Sequence, residues 1–467
     1  MESAATGDAM PRLVIAGLSG GSGKTLASLA LLLEARRREI PVRAFKKGPD
    51  YIDAAWLRWA SGQPARNLDS YLMGFDAAAG SFARNGISAG LNVIEGNRGL
   101  YDGLDARGTH STAALAKAIR APVVLVIDAT KVTRTAAALV LGCQKLDPEL
   151  FIAGVILNRI AGTRHEALLR DAIESDCGVP VLGAIPRVPE GALVGMRHLG
   201  LVTPLEYAER GSLARNLIDR VVPRLDFDRL MEVARGAPPI SAPAAPPLFA
   251  SSASRVTAGY LTDSAFSFYY PENLEALQAA GAELAAISAL TAAALPDNLD
   301  ALYIGGGFPE THAEALARNA GFLSSVRQAA ASGLPIYAEC GGLMLLSRAI
   351  RWQGRKHSMA GVLPFEVEVC ETPQGHGYAE LLVDAANPFF PVGTRLRGHE
   401  FHYSRIAPDA AAPTTACAVL RGSGCFTGRD AVLERNVWAA YTHLHALASP
   451  AWAEGMLAAA HAARACA

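Results

Sequence analysis

The chain has 467 residues, with 43 Lys+Arg against 44 Asp+Glu and a formal net charge of −1. That balance excludes wholesale electrostatic attraction to nucleic acid or an anionic membrane, though local basic patches stay open. With 51% hydrophobic and 19% charged residues it is an ordinary globular chain, too long for a single core, so two or three domains are expected.

The opening stretch "MESAATGDAMPR" lacks the basic region and apolar run of a secretory signal, and residues 1–11 read as a disordered tail. No uncharged apolar run reaches the ~20 residues needed to span a bilayer. The seven cysteines, at 143, 177, 340, 370, 417, 425 and 466, form no CxxC pair. Reduced thiols and a cytoplasmic location are expected from that usage.

From residue 12 strand and helix signals alternate. "RLVIAG" (12–17), "VRAFKK" (42–47), "LNVIEG" (91–96), "APVVLVID" (121–128), "IAGVILNR" (152–159) and "PVLGAIPR" (180–187) read as buried strands, and "LASLALLLEARRREI" (26–40) as a helix. Near-continuous apolar strands separated by helices predict an α/β domain with a mainly parallel sheet over 12–234. "RGAPPISAPAAPPLFASSAS" (235–254) reads as a Pro/Ala-rich linker. Alternation resumes in a second α/β domain, 255–467, with strands at "RVTAGYL" (255–261), "ALYIGGG" (301–307) and "LPIYAE" (334–339).

"GLSGGSGKT" (17–25) lies between a strand and a helix, as a P-loop must. Its glycines, Gly20, Gly21 and Gly23, let backbone N–H groups turn toward phosphate oxygens. Lys24 is expected on the β/γ-phosphates and the Thr25 hydroxyl on Mg²⁺. The strict form requires glycine where this chain has Leu18; the Gly20–Gly21 doublet resembles the deviant loop of ParA-like and dethiobiotin-synthetase-like ATPases. Ser19 stands where ParA-like members carry an extra lysine.

Acids cluster at strand ends of the same domain: Asp50 and Asp53 in "KKGPDYID" (46–53), Glu95 and Asp102 in "IEGNRGLYDG" (94–103). Ligands of open α/β sheets bind at those ends. Nucleotide-bound Mg²⁺ takes only one or two carboxylates, so the remaining acids are expected to position substrate or assist transfer. Asp50 and Asp53 also suit a helix cap.

In the second domain "YAECGGLMLL" (337–346) reads as strand, tight turn and helix with Cys340 at the helix N-terminus, a placement expected to lower its pKa. "YTHLHA" (441–446) supplies His443 and His445 as candidate bases, and a cysteine with a distant histidine suggests acyl transfer through a thioester. Backbone N–H groups of Gly306, in "LYIGGGFPE" (302–310), and of Gly341 are candidates for an oxyanion hole. "RGHEFHYS" (397–404) is not HExxH and reads as site wall, not metal site.

Together "GLSGGSGKT", "FKKGPDYID", "EGNRGLYDG", "YAECGGLMLL", "RGHEFHYS" and "YTHLHA", in this order over residues 12 to 449, resemble the cobyrinate a,c-diamide synthase family. The resemblance implies a P-loop domain that uses ATP and Mg²⁺ to phosphorylate a tetrapyrrole carboxylate, fused to a class I glutamine amidotransferase domain that supplies ammonia. It places Lys24, Thr25, Asp50, Asp53, Glu95 and Asp102 among the phosphate, metal and activating residues. Thr25, Asp50 and Glu95 are expected at the metal and Asp102 in catalysis. His443 falls on the base for Cys340, and Asn158 on a strand-end asparagine that reads adenine. Ordinary class I amidotransferases often carry Glu two residues after the catalytic His; here His445 stands there, so a Cys340–His443 dyad is expected, its imidazole oriented by some other acceptor. Lys47 and Arg98 stand where spellings differ within the family; such basic residues suit either a polycarboxylate ring or nucleotide phosphates, and Lys47 is a candidate substrate contact. The variation leaves siroheme, sirohydrochlorin and nickel-sirohydrochlorin beside cobyrinate as acceptors. A homodimer is compatible with the resemblance. A ParA-like regulatory ATPase is the reading of another class; it would have no use for Cys340.

Overall fold

The computed structural model describes residues 10–188, 202–240, 255–408 and 410–466. The expected tail, except for residues 10 and 11, and residues 241–254 of the expected linker lie outside them. The chain divides into two compact units, Met1–Ala245 and Pro246–Ala467.

Seven parallel strands form the sheet of the first unit: β1 (Arg12–Gly17), β2 (Val42–Lys47), β3 (Arg66–Leu68), β4 (Leu91–Glu95), β5 (Val123–Asp128), β6 (Ile152–Ile160) and β7 (Val181–Pro186). Their order is β3-β2-β4-β1-β5-β6-β7. Every residue of β1 and β4 is buried, which is why these segments read as continuous apolar runs instead of alternating ones. The chain winds to one side of β1 and then to the other, so the carboxyl end of β1 is the switch point where such sheets bind ligands. β3 is three residues long, too short to register in the sequence pattern.

Helix α1 spans Lys24–Arg37, two residues earlier at its start than the apolar run suggested. It stops short of residue 40 because Glu39 turns left-handed (φ 57) and Pro41 follows. Residues 236–240 of the expected linker lie against this unit: Ile240 joins its core and the Pro238 carbonyl accepts from the buried Arg12 guanidinium.

The second unit holds a ten-stranded sheet. Across it run His443–Leu444, Arg395–His402, Gly375–Val383, Thr415–Arg421, Arg429–Glu434, Val437–Ala440, Ile336–Glu339, Ala301–Ile304, Val256–Leu261 and Ala282–Ile287. The last five are mutually parallel and the others pair antiparallel. Ile336 and Ala338 pack into one hydrophobic cluster and Tyr337 into another, so the parallel half is covered on both faces. The antiparallel half was not anticipated. Arg395–His402 alternates arginine and apolar residues, with Arg395 and Arg397 exposed, and offers no apolar run to read.

Candidate active sites

Two sites form, one in each unit. In the first, Gly17 ends β1 and the chain turns through Gly21 (φ +72) and Gly23 (φ +105) into α1. Gly23 is doubly required: its backbone is left-handed, and a Cβ there would lie 2.2 Å from Asn158 Nδ2. Around Gly20 and Gly21 a Cβ would meet nothing within 4 Å, leaving an open cradle. Lys24 curls into the loop, its Nζ donating to the carbonyls of Ser19 (2.9 Å) and Arg98 (2.7 Å). Burial, with the nearby Lys46 ammonium, pulls its pKa down to about 8.

Beside the loop, Glu95 at the end of β4 is fully buried. Its Oε1 accepts from the Thr25 hydroxyl at 3.0 Å and from Lys46 Nζ at 2.9 Å. Lys46 also meets Asp53 Oδ2 at 2.6 Å. Asp50 caps helix α2 (Tyr51–Ser61), accepting from the Asp53 N–H at 2.8 Å, so capping and clustering coexist in one residue. Burial and the Asp53 carboxylate push Asp50 up to about 7. Burial likewise raises Glu95, against the pull of Lys46. Burial also opposes the charge on Lys46, but Asp53, Glu95 and Asp50 outweigh it and hold Lys46 protonated.

Glu95 Oε2 is buried with no hydrogen-bond partner among the described residues. An orphaned carboxylate oxygen beside a hydroxyl and a second acid is the donor set a hard cation such as Mg²⁺ takes. Among the described residues no group of three or more His, Cys, Asp or Glu side chains forms a metal cage. Nucleotide-bound Mg²⁺ needs none, since phosphates and water fill its shell.

Thr25, Asp50, Asp53 and Glu95 are thus brought together, with Asp102 nearby at the surface, where it accepts from the Gly99 N–H at 2.9 Å and acts on Lys24. Two expected residues sit differently. Lys47 is buried, with Asp69 as the carboxylate acting on it, and it is the adjacent Lys46 that meets the acids. Asn158 is committed to its own chain, donating to the Ser22 carbonyl at 2.9 Å and accepting from the Arg159 N–H at 3.0 Å, so it braces the loop. Lys46 was missed because successive strand residues face opposite ways, and only its register with Glu95 identifies the inward one.

In the second unit Cys340 follows the strand Ile336–Glu339 and precedes the helix Gly341–Leu346, with φ 48 and ψ −97. A β-carbon-bearing residue in that region is strained, and the neighbouring parallel strand holds it there: the Cys340 N–H donates to the Ala440 carbonyl at 2.7 Å. His443 lies three residues beyond that carbonyl. The loop after Ala301–Ile304 closes the site. A Cβ on Gly306 would be 2.5 Å from His443 Cε1, and one on Gly341 would be 3.0 Å from the Gly307 nitrogen. Cys340, His443, Gly306 and Gly341 therefore meet at adjoining strand ends.

Two expectations are corrected here. The thiol pKa is raised, not lowered: burial dominates, the Glu310 carboxylate adds to it, and the Gly341 N–H opposes only in part. A six-residue helix cannot offset that desolvation. Nor does a bare Cys–His dyad describe the site, because Glu339 Oε2 lies 3.4 Å from His443 Nδ1. His445 belongs elsewhere, its ring against Tyr270 at 4.5 Å and its Nε2 3.7 Å from Glu272. His399 of the "RGHEFHYS" strand stacks on His443 at 5.0 Å, and burial keeps it neutral.

Two family models match the chain: a CobQ/CobB/MinD/ParA nucleotide binding domain over residues 13–201 and a CobB/CobQ-like glutamine amidotransferase domain over residues 257–451. A cobyrinate a,c-diamide synthase of Magnetococcus marinus is 43% identical over 449 residues, covering 95% of this chain and 96% of its own. The chain belongs to the cobyrinate a,c-diamide synthase family. Family members from Syntrophotalea carbinolica (41% identical, 94% of this chain and 96% of theirs) and Archaeoglobus fulgidus (39%, 94% and 95%) match over similar spans. Like other members of the cobyrinate a,c-diamide synthase family, this is an ATP-dependent, glutamine-hydrolysing carbon–nitrogen ligase with ATP as co-substrate. Among the described residues no helix is long and apolar enough to cross a membrane.

Proposed function

We propose that this ligase amidates the a and c acetate carboxylates of a tetrapyrrole, cobyrinate first among candidates, through an acyl phosphate and ammonia from glutamine. The carrying observation is the buried Thr25–Glu95–Lys46–Asp53 cluster beside a P-loop, in a chain whose relatives are named cobyrinate a,c-diamide synthases. In this reading domain 12–234 is the synthetase, 255–467 the glutaminase, and 235–254 their linker.

Loop N–H groups of Gly20, Gly21 and Gly23, with Lys24, hold the phosphates. Thr25, Glu95 and Asp50 would hold Mg²⁺, which when bound supplies charge neutralisation at the β- and γ-phosphates. Lys46 pairs with both Glu95 and Asp53. Asp53 and Asp102 flank the acceptor carboxylate. The carboxylate attacks the γ-phosphorus, ADP leaves, and the acyl phosphate forms. Ammonia then attacks the acyl carbon, phosphate leaves, and a proton lost from nitrogen completes the amide. Asn158 supports the nucleotide site by bracing the loop.

In the glutaminase unit His443 takes the proton of Cys340, and the sulfur attacks the glutamine side-chain amide. The N–H groups of Gly306 and Gly341 hold the developing oxyanion. His443 gives that proton to the departing nitrogen and ammonia leaves; water then attacks the thioester with His443 as base, and His443 returns the proton to the sulfur as glutamate is released and the thiol regenerated. Raised by burial, the thiol waits protonated until His443 removes its proton.

A substrate panel read by mass spectrometry tests the reading, with ATP, Mg²⁺ and glutamine given to cobyrinate, sirohydrochlorin, siroheme or nickel-sirohydrochlorin. Two carboxylate-to-amide replacements on cobyrinate are expected. Preference for another macrocycle overturns the choice of acceptor alone. Cys340→Ser should abolish glutamine-driven but not ammonia-driven amidation, and a regulatory ATPase would show neither.

A further inference from the structure

We propose that Glu339, the residue immediately before the nucleophile, is the positioning carboxylate for His443 and replaces the acid that class I amidotransferases often carry two residues after the histidine. The inference rests on the glutaminase reading of this site.

Glu339 is fully buried, and both of its oxygens are engaged. Oε1 accepts from the Leu444 N–H at 3.0 Å; Oε2 accepts from the Tyr303 hydroxyl at 3.1 Å and faces His443 Nδ1 at 3.4 Å. Strand alternation explains why this side chain can reach the histidine. Glu339 pairs in register with Ala440 on the neighbouring strand, and the chain beyond Ala440 turns so that His443 and Leu444 return across the carboxylate.

Further buried hydrogen bonds fix the acid in turn. Asn273 donates to the Tyr303 oxygen at 3.2 Å and to the Leu444 carbonyl at 2.9 Å, and accepts from the Ala446 N–H at 2.7 Å. The segment bearing His443 is thus tied at Leu444 and Ala446 to a buried polar network centred on Glu339. The Leu444 N–H can only donate, and the Tyr303 oxygen already accepts from Asn273 and donates its proton to Glu339, so Glu339 is held as an acceptor. An acceptor at Nδ1 keeps the proton there and leaves Nε2 free to take the Cys340 proton. The ring of His399, kept neutral by burial, stacks on His443 at 5.0 Å. The 3.4 Å separation is long for a hydrogen bond, as such contacts often are before substrate binds.

The test is glutamine hydrolysis by the full chain carrying Glu339→Gln. A glutamine side chain can still accept from Leu444 but presents an NH₂ group to Nδ1, which drives the proton to Nε2. The kcat for glutamine hydrolysis should fall by about 10³- to 10⁴-fold with KM unchanged, as when a triad carboxylate becomes an amide. Ammonia-driven amidation by the same protein should persist, showing that the chain is folded. Glu339→Asp, which keeps the charge, should recover at least about a tenth of the lost rate, a rescue that mere loss of packing would not give. If Glu339→Gln does not fold, Tyr303→Phe decides: kcat should fall roughly three- to tenfold at constant KM.

Wild-type kcat in Glu339→Gln, or in Tyr303→Phe where that variant decides, overturns the proposal. A loss in Glu339→Gln that resides in KM also overturns it. Cys340→Ala separates this failure from that of the underlying reading. If Cys340→Ala still hydrolyses glutamine, the glutaminase assignment falls; if it is inactive while Glu339→Gln is normal, only the role of Glu339 falls.

Discussion

Lys46 Nζ lies 2.9 Å from Glu95 Oε1 and 2.6 Å from Asp53 Oδ2, and neither Lys46 nor Glu95 exposes more than 1% of its side chain. One ammonium therefore holds two carboxylates beside the phosphate loop. Breaking a buried pair from one side leaves the remaining charge uncompensated and costs roughly 3–5 kcal/mol. Lys46→Met should lose stability of that order in urea unfolding and reduce ammonia-driven amidation by at least about a hundredfold. A stable, active Lys46→Met protein would show that the cluster tolerates its own repulsion.

Cys340 gives a pH prediction. Burial and Glu310 raise its pKa above that of an ordinary thiol, so at neutral pH without glutamine it is protonated. Because the thiolate is the reactive form, alkylation by iodoacetamide should be slow at pH 7 and climb with pH through the range where a free cysteine, at about 8.5, has already levelled off. A plateau below pH 8 would contradict the raised pKa.

Gly306→Ala tests the closeness of the loop to the base. The added methyl would sit 2.5 Å from His443 Cε1, against a ring packed between His399 and Glu339, so the ring must move. A displacement of about 1 Å at a catalytic group can cost on the order of a hundredfold in rate. Glutamine hydrolysis should fall by about that factor while ammonia-driven amidation is kept.

Removal of Mg²⁺ should separate the two chemistries. Chelation with EDTA is expected to bring ammonia-driven amidation to background, and glutamine hydrolysis without ATP to continue at its untreated rate. Asp50→Asn should mimic the first effect by raising the Mg²⁺ concentration required, with the cap of α2 preserved because Asn caps as well as Asp. An unchanged Mg²⁺ requirement in that variant would remove Asp50 from the metal site.

Much of both sites was legible because it is local. A P-loop is defined by glycines and a lysine within nine residues, and a nucleophile turn by a strand, a cysteine and two glycines. Lys46 and Lys47 are adjacent and chemically identical, and nothing in "VRAFKK" says which one faces Glu95. Glu339 read as the last residue of a strand. The pKa of Cys340 was misjudged because a helix N-terminus is visible in the sequence while the burial that overrides it is not.

What the sequence determined by itself were the alternation that makes α/β units and the two short motifs that mark phosphate and thiol chemistry, each a matter of neighbouring residues. What only the tertiary structure decided were the pairings across distance: Lys46 with Glu95, 49 residues apart, and Glu339 with His443, 104 apart. The physical reason is strand register. A shift of one residue turns every side chain to the other face, so which acid meets which base depends on how separate strands align.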